Sequence, residues 1–332
     1  MRILVTSPSG YIRDSFLGGE VAKKLHALGD VVWNEGSAQW PKEELRERLA
    51  GVDACVTGWG SLPLSADVLE KADALRLVAH TGGTVANLVS EEMFARGIRI
   101  VSGNDGYARS VAEGVIAYML LGLRRLPYFM GEMRETGWVA PHYWNEGLLD
   151  QTVGLVGYGS VTAHLIPLLK MFDTRVKLYS SHMKPEEAKA LGVELASLEE
   201  IMATCKVISL HCASTPQNHH LIDRRLLEMI PEGALLLNTA RGDVLDEAAL
   251  ADECGRRAIT AVLDVYEKES PLPVDSPLWG HDNILMIPHM CGPTVDQRRV
   301  IGRRLAGEIE RFFAGEPLTM EISRSAAGRM TR

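Results

Sequence analysis

The sequence predicts an α/β fold, with doubly wound parallel sheets covered by helices on both faces and divided between two domains. Three observations carry this. Apolar runs of strand length alternate with helical patterns along most of the chain, and such alternation packs as a parallel sheet between helices. Residues 152–180 hold a complete strand, glycine turn, helix and second strand. The 332 residues exceed what one domain usually holds.

Residues 1–101 carry strand-like runs at Ile3–Val5, Val31–Trp33, Ala54–Thr57, Leu75–Ala79 and Ile98–Val101. Helical patterns such as Phe16 to Leu28 and Ser90 to Arg96 lie between them. Ser110-Val-Ala-Glu113 reads as a capping box, because the serine can accept from the Glu113 amide while the glutamate reaches back. The helix it opens runs through Ile116, Met119, Leu120 and Leu123 toward Arg125 and is long enough to be the crossover between domains. Residues 136–150 lack periodicity and hold Trp138, His142, Tyr143 and Trp144. They read either as a packed surface loop or as an aromatic flap beside an active site.

Further strands are expected at Val207–His211, Ala234–Thr239, Thr260–Val265 and Asn283–Ile287, with helices near Leu198–Thr204, Arg224–Met229 and Glu247–Cys254. A last helix from Val295 to Ala314 puts Ile301, Leu305, Ile309 and Phe312 on one face and stops at Gly315 and Pro317. It should fold back onto the first domain. The polar tail from Leu318 to Arg332 has no periodicity and reads as loosely attached.

Composition excludes several classes. A hydrophobic fraction of 46% with 23% charged residues fits a soluble protein with a large core. A net charge of −8 argues against nucleic acid or an anionic membrane as partner. The apolar run at the N-terminus is too short for a signal peptide, and Val115 to Leu123 is too short to span a bilayer. Five scattered cysteines, Cys55, Cys205, Cys212, Cys254 and Cys291, form no C-x-x-C pair. They point to a reducing, cytoplasmic compartment and to no metal site.

The glycine turn is Gly157-Tyr158-Gly159-Ser160-Val161-Thr162. Gly157 suits the tight strand-to-helix turn, and Gly159 would let a pyrophosphate approach the backbone at the helix N-terminus. Thr162 stands where the G-x-G-x-x-G pattern has its third glycine, so the helix is expected further from the sheet. Pro167 falls inside that helix and can kink it.

Ligands of open parallel sheets bind outside the carboxyl ends of the strands. The residues after successive strands here include His211, Thr215 and Pro216, then, past the strand end at Thr239, Ala240, Arg241 and Gly242, then Asp264 and Glu269, then Pro288 and His289. Each alone has a structural explanation. Together they supply an anion-binding fork, an acid/base and a group to orient it, which hydride transfer to a 2-keto acid requires.

On these residues the chain resembles the D-isomer-specific 2-hydroxyacid dehydrogenase family. Asn238-Thr-Ala-Arg241-Gly-Asp-Val-Leu-Asp246 is similar to its arginine motif, Leu263-Asp-Val-Tyr-Glu-Lys-Glu269 to its carboxylate motif and Ile287-Pro-His289 to its histidine motif. Ser209-Leu-His211 with Thr215 and Pro216 resembles the preceding loop. The resemblance implies a Rossmann cofactor domain at 106–294 and a smaller, flavodoxin-like substrate domain at 1–105 and 295–332. It implies that Arg241 binds the substrate carboxylate and carbonyl, that His289 is the acid/base, that Glu269 pairs with it and that Asp264 contacts the nicotinamide amide. Substrate would bind between the domains, with hinges near 102–109 and 289–296. The family is commonly dimeric, which places the contact on the helix after Ser110.

In the first domain, Thr81-Gly82-Gly83-Thr84-Val85-Ala86-Asn87 resembles the family's carboxylate-binding loop, with the anion on the amides of Gly83 and Thr84. Thr84 and Ala86 replace a glycine and an aspartate of that pattern. Cys291 fills the place of a small residue. Trp59, after the third strand, is either an apolar wall for a less polar substrate tail or ordinary core.

The reading is an oxidoreductase acting on a 2-keto acid and D-2-hydroxy acid pair. Dinucleotide-sensing binding proteins or corepressors share the resemblance and are the alternative, whereas a methyltransferase would not need the Arg, Glu and His set. The cofactor is NAD or NADP. NAD sites usually place an acid at the end of the second strand. Here that strand ends in Ser180 and Ser181, followed by His182 and Lys184, so NADP is read ahead of an NAD enzyme that holds the ribose through Ser180.

Overall fold

The computed structural model describes residues 1–141, 143–269 and 271–330. His142, one of the residues of the expected aromatic flap, lies outside the described residues. The strands are β1 Arg2–Val5, β2 Asp30–Trp33, β3 Ala54–Thr57, β4 Leu77–His80, β5 Arg99–Ser102, β6 Thr152–Val156, β7 Arg175–Tyr179, β8 Glu194–Leu195, β9 Val207–Leu210, β10 Leu235–Asn238, β11 Thr260–Leu263 and β12 Ile284–Met286. The helices are α1 Tyr11–Leu17, α2 Glu20–Leu28, α3 Lys42–Arg48, α4 Glu91–Ala95, α5 Asn104–Leu123, α6 Leu126–Thr136, α7 Ser160–Lys170, α8 Pro185–Leu191, α9 Leu198–Thr204, α10 Arg224–Leu227, α11 Glu247–Arg256, α12 Val295–Phe313 and α13 Arg324–Ala327. The chain divides into two compact units, Met1–Tyr107 with Pro293–Arg332, and Ala108–Gly292.

In the first unit the sheet runs β2-β1-β3-β4-β5, all parallel. Strands β3 and β4 are buried throughout, as central strands covered on both faces must be. On one face Phe16, Leu17, Val21 and Leu25 pack with Ile301, Leu305 and Ile309 of α12. The expected apolar stripe of the last helix is therefore what binds it to this unit. Leu45, Leu49 and Met93 lie in the core on the other face. The helix expected over Phe16 to Leu28 is instead two, broken at Gly18 and Gly19.

Two expectations need correction. The long helix does not begin at Ser110. It starts at Asn104, whose amide donates to Ser102 Oγ (3.3 Å), and Ser110 is an interior, buried position. A local capping pattern was outcompeted by an earlier start. The tail is not loosely attached either. Glu321 bridges antiparallel to Val101, with Ser102 N donating to Met320 O (3.2 Å) and Ile322 N to Ile100 O (2.9 Å). Arg99 clasps the Glu321 carboxylate, and Met320 and Ala327 are buried. The tail thus covers the open edge of β5, where unpaired backbone groups would otherwise stand. A single strand-like contact of this kind has no periodic signal.

The second unit has a seven-stranded parallel sheet, β12-β11-β10-β9-β6-β7-β8. One apolar cluster, including Ile208, Leu236 and Leu250, fills one face. The other holds Val115, Leu155, Leu165 and Leu237. The short β8 and the helices α3, α6 and α8 had no clear signal in the sequence.

Glu308 of α12 is 3% exposed, and its carboxylate accepts from Thr319 N (2.7 Å), Thr319 Oγ1 (2.7 Å) and Met320 N (3.0 Å). Removing it leaves buried donors unmet. Glu308→Ala is expected to cost about 2–4 kcal/mol in urea unfolding, with new protease cleavage at residues 318–322. Unchanged stability together with an uncut tail would show that Glu308 does not fasten it.

Candidate active site

Parallel register sets the site. Val156, Leu210, Asn238, Leu263 and Met286 are aligned across β6, β9, β10, β11 and β12. The next residues, Gly157, His211, Thr239, Asp264 and Ile287, therefore stand in one row at the carboxyl edge. Arg241, Glu269 and His289 follow within a few residues of that row.

The glycine turn is built for a close approach. Gly157 has φ +107°, and a Cβ there would lie 2.9 Å from the backbone of His211 and Cys212. A Cβ at Gly159 would meet nothing within 4 Å, so that glycine opens space rather than filling a crowded one. Thr162 is fully buried, and its hydroxyl accepts from Gly159 N (2.8 Å) and donates to Gly159 O (3.0 Å). The missing third glycine is thus a staple inside the turn, and it takes the Gly159 amide away from any ligand. Ser160 and Val161 open α7, at the helix N-terminus. Tyr158 is exposed, and α7 continues through Pro167 to Lys170.

The edge also holds an orphan. Thr239 Oγ1 is buried with no hydrogen-bond partner among the described residues. Buried hydroxyls are rarely left so, and the atom fits a site completed by a ligand. At the end of β7, Ser180 Oγ accepts from His182 N (3.3 Å) and Met183 N (3.2 Å), while Ser181 is exposed beside it. The next acids, Glu186 and Glu187, lie in the first turn of α8, and Glu187 is occupied in capping the Lys184 amide (2.8 Å). Burial pushes His211 down to about 4, so it is a neutral imidazole, joined through Nε2 to Ser209 Oγ (2.9 Å). Thr215 sits in the loop that follows, its carbonyl accepting from Asn218 N (2.9 Å).

The expected pairing of Glu269 with His289 is present. Glu269 Oε2 lies 2.8 Å from His289 Nδ1, and Glu269 Oε1 accepts from Tyr266 N (3.0 Å). This leaves His289 Nε2 for a reacting group. His289 has φ +50°, a conformation unusual for a non-glycine residue. Asp264 holds it there, accepting from Met290 N (2.8 Å), Cys291 N (3.0 Å) and Tyr118 Oη–H (3.0 Å). Asp264 is 1% exposed, and burial raises its pKa against these donors. Fastening the histidine loop is a role the sequence did not display.

Arg241 is framed by Asn238, whose Oδ1 accepts from Ala240 N (3.1 Å) and whose Nδ2 donates to Arg241 O (2.9 Å). Arg241 Nη1 donates to Ala240 O (2.7 Å). Burial lowers its pKa, opposed by the charges of Glu269 and Asp243, yet no carboxylate is within ion-pair distance among the described residues. A Cβ at Gly242 would lie 1.8 Å from the Tyr266 carbonyl carbon, so only glycine lets the arginine loop press on the carboxylate loop.

Residues outside the motifs lock these loops together. Glu267 N donates to Glu247 Oε1 (2.7 Å) and Glu247 N to Glu267 Oε1 (3.4 Å), which also meets His220 Nε2 (3.0 Å). His220 N and Ser214 Oγ both donate to Asp243 (2.8 and 2.6 Å). Glu247, Glu267, Tyr118 and Tyr266 were missed in the sequence, although the first follows the arginine motif and Glu267 and Tyr266 lie inside the carboxylate motif.

The remaining expected residues belong to the first unit. Trp59 is 45% exposed, against the core alternative. Gly83 O accepts from Ser102 Oγ (3.3 Å), and Thr84 Oγ1 accepts from Ala86 N (3.3 Å). Among the described residues no group of histidine, cysteine and acid side chains could hold a metal, and no helix is long and apolar enough to cross a membrane.

Residues 116–291 match the model for the NAD binding domain of D-isomer specific 2-hydroxyacid dehydrogenases. D-3-phosphoglycerate dehydrogenase of Methanocaldococcus jannaschii is 30% identical over 318 residues, covering 95% of this chain and 58% of that protein. Glyoxylate reductase of Korarchaeum cryptofilum is 30% identical over 280 residues, covering 83% of this chain and 84% of that one. A phosphoglycerate oxidoreductase from Rhizobium etli has the same fold, with TM-score 0.80, 22% identity and coverage of 98% and 99%. The chain spans little more than half the length of the phosphoglycerate dehydrogenases it matches.

The interlocked glutamates set a pH dependence. Burial raises Glu247 from 4.5 to about 6, so the folded chain holds a proton that the unfolded chain has released. Stability from this group is present below pH 4.5 and lost as pH rises through 6. Glu247→Gln keeps an oxygen for the Glu267 amide and does not titrate. Its unfolding midpoint should gain on the parent between pH 4.5 and 7, and a parallel offset across that range would refute the assignment.

Proposed function

Since the chain belongs to the D-isomer specific 2-hydroxyacid dehydrogenase family, we propose that it interconverts a 2-keto acid and a D-2-hydroxy acid with a nicotinamide dinucleotide. The observation that carries this reading is the Glu269–His289 pair at 2.8 Å, beside a half-buried Arg241 with no carboxylate of its own. Arg241 takes the substrate carboxylate and polarises the adjacent carbonyl, two roles suited to its planar fork. His289 Nε2 gives its proton to the carbonyl oxygen in reduction and takes it back in oxidation. Glu269 holds the ring by Nδ1 and so keeps Nε2 facing the reacting group. The nicotinamide, when bound, supplies or accepts the hydride. Ser160, Val161, Thr239 and Ala240 would line the dinucleotide, and Asp264 keeps the histidine loop in place. Trp59, Gly83 and Thr84 are retained as substrate contacts. The relatives' names, phosphoglycerate dehydrogenase and glyoxylate reductase, are compatible with a small acid.

A homodimer is supported by α6, which has no buried residue and exposes Leu126, Tyr128, Met130 and Met133. That points to the helix after the one first expected. Five unpaired cysteines support a reducing cytoplasm.

Arg241→Lys should lower kcat/KM by on the order of a hundredfold, about 3 kcal/mol, with dinucleotide affinity unchanged. Near-parental turnover would take Arg241 out of the site. For the cofactor, we read NADP ahead of NAD, because no acid at the end of β7 would repel a 2′-phosphate and Ser180, Ser181, His182 and Lys184 can donate to one. Steady-state kinetics should give a higher kcat/KM with NADPH than NADH and the reverse order in Ser180→Asp. A clear NADH preference in the unmodified protein would end this part of the reading alone.

A further inference from the structure

At the carboxyl edge of the first unit's sheet, three aromatic rings and a guanidinium form a box. Phe16 of α1 and Trp59 after β3 meet edge to face with centroids 5.5 Å apart. Tyr107, in the first turn of α5, stacks 6.4 Å from Phe16 and meets Trp59 edge-on at 6.1 Å. Arg298, near the start of α12, lies over both Phe16 (5.8 Å) and Trp59 (5.3 Å). Its Nε donates to Pro293 O (3.1 Å), which fixes the plane of the guanidinium.

Two groups in the box are unmatched. Arg303, Arg304 and Arg311 of the same helix each pair with an acid, Glu20, Asp105 and Glu316. Arg298 and Arg299 pair with none among the described residues, and of these two only Arg298 is half-buried. Stacking uses only the face of a guanidinium, so the in-plane donors at its two Nη atoms stay available. The Tyr107 hydroxyl is buried, and although the Trp59 indole N–H approaches it as a donor, its own proton meets no acceptor among the described residues. Burial pushes its pKa up while the nearby Arg298 charge opposes the shift, so it is a neutral phenol whose proton lacks an acceptor. An acceptor-rich anion would satisfy both groups.

The box adjoins the turn that resembles the family's carboxylate-binding loop. A Cβ at Gly83 would lie 3.3 Å from the Tyr107 ring, so the Gly83–Thr84 backbone rests on that ring. Trp59, 45% exposed, offers a flat wall beside the guanidinium. A simple structural seal would account for the stacked rings. It would account neither for a phenol without an acceptor nor for an unpaired cation beside it.

We propose that Phe16, Trp59, Tyr107 and Arg298 form a second anion subsite, which selects acids carrying a carboxylate or phosphate beyond the reacting carboxyl. Trp59 and Phe16 flank the carbon chain, and Arg298 and Tyr107 bind the second anion. Trp59 then marks a more polar substrate end, not the less polar tail its type first suggests. The subsite rests on the keto-acid reading above for its role.

The test compares 2-ketoglutarate with 2-ketopentanoate, which match in length and differ in the second carboxylate. The unmodified protein should favour the diacid at least tenfold in kcat/KM. Arg298→Gln should lose tenfold to a hundredfold on the diacid and less than threefold on the monoacid, and Tyr107→Phe, which removes only the hydroxyl, a smaller share of the same preference. 3-Phosphohydroxypyruvate against hydroxypyruvate tells a phosphate site from a carboxylate site. Equal treatment of both pairs by the unmodified protein, or equal losses on both members of each pair in Arg298→Gln, would overturn the subsite. Absence of turnover with every keto acid would instead defeat the oxidoreductase reading. Calorimetric titration of the same compounds without cofactor then still judges the subsite, since equal heats for diacid and monoacid would reject it.

Discussion

Everything chemical in the second unit depends on the parallel register of five strands. Because Val156, Leu210, Asn238, Leu263 and Met286 are level, residues far apart in sequence emerge along one edge. Register is costly to change, since a slip of one residue would turn every buried side chain of a strand to the opposite face. Strands such as β9 and β10 are buried at each position, and that burial is what fixes the row. Arg241, Glu269 and His289, the proposed catalytic groups, could then be carried on short loops without losing their place.

Short loops still need holding, and the structure uses buried carboxylates for it. Asp264 takes two amides of the histidine loop, Glu247 takes the Glu267 amide, and Glu308 takes two amides of the tail. A carboxylate has two oxygens and about four acceptor sites, so one side chain can gather donors from a segment with no regular structure. The arrangement is stiff, because removing the acceptor leaves several donors buried and unmet.

This division explains what could be read from the sequence. Parallel sheets, the glycine turn and the row Arg241, Glu269 and His289 were legible because each follows from a local pattern placed after a strand. The Asp264 clasp, the Glu247–Glu267 exchange and the β5 edge cover were not, because each joins segments far apart and any acid could in principle supply it. Ser110 shows the opposite failure. Its capping box was a good local pattern, but Asn104 gave an earlier start, and the added turn buries Ala108 and packs Tyr107 against the core of the first unit.

The charge pattern carries the argument one step further. The chain has 43 acidic residues against 35 lysines and arginines, so acids are not scarce. Most surface cations have found one, as Arg48 does with Glu44 and Lys71 with Glu47. Surface pairs of this kind contribute little, about 0–1 kcal/mol, and form wherever geometry allows. Arg241 and Arg298 are each half-buried, held in orientation by a backbone carbonyl, and still lack a carboxylate among the described residues. An internal partner at either place would be easy to supply. It would occupy the donors an acid must use. In each unit, then, an arginine is kept without a partner although the sequence is rich in acids, and the missing partner is most simply an anion that comes and goes.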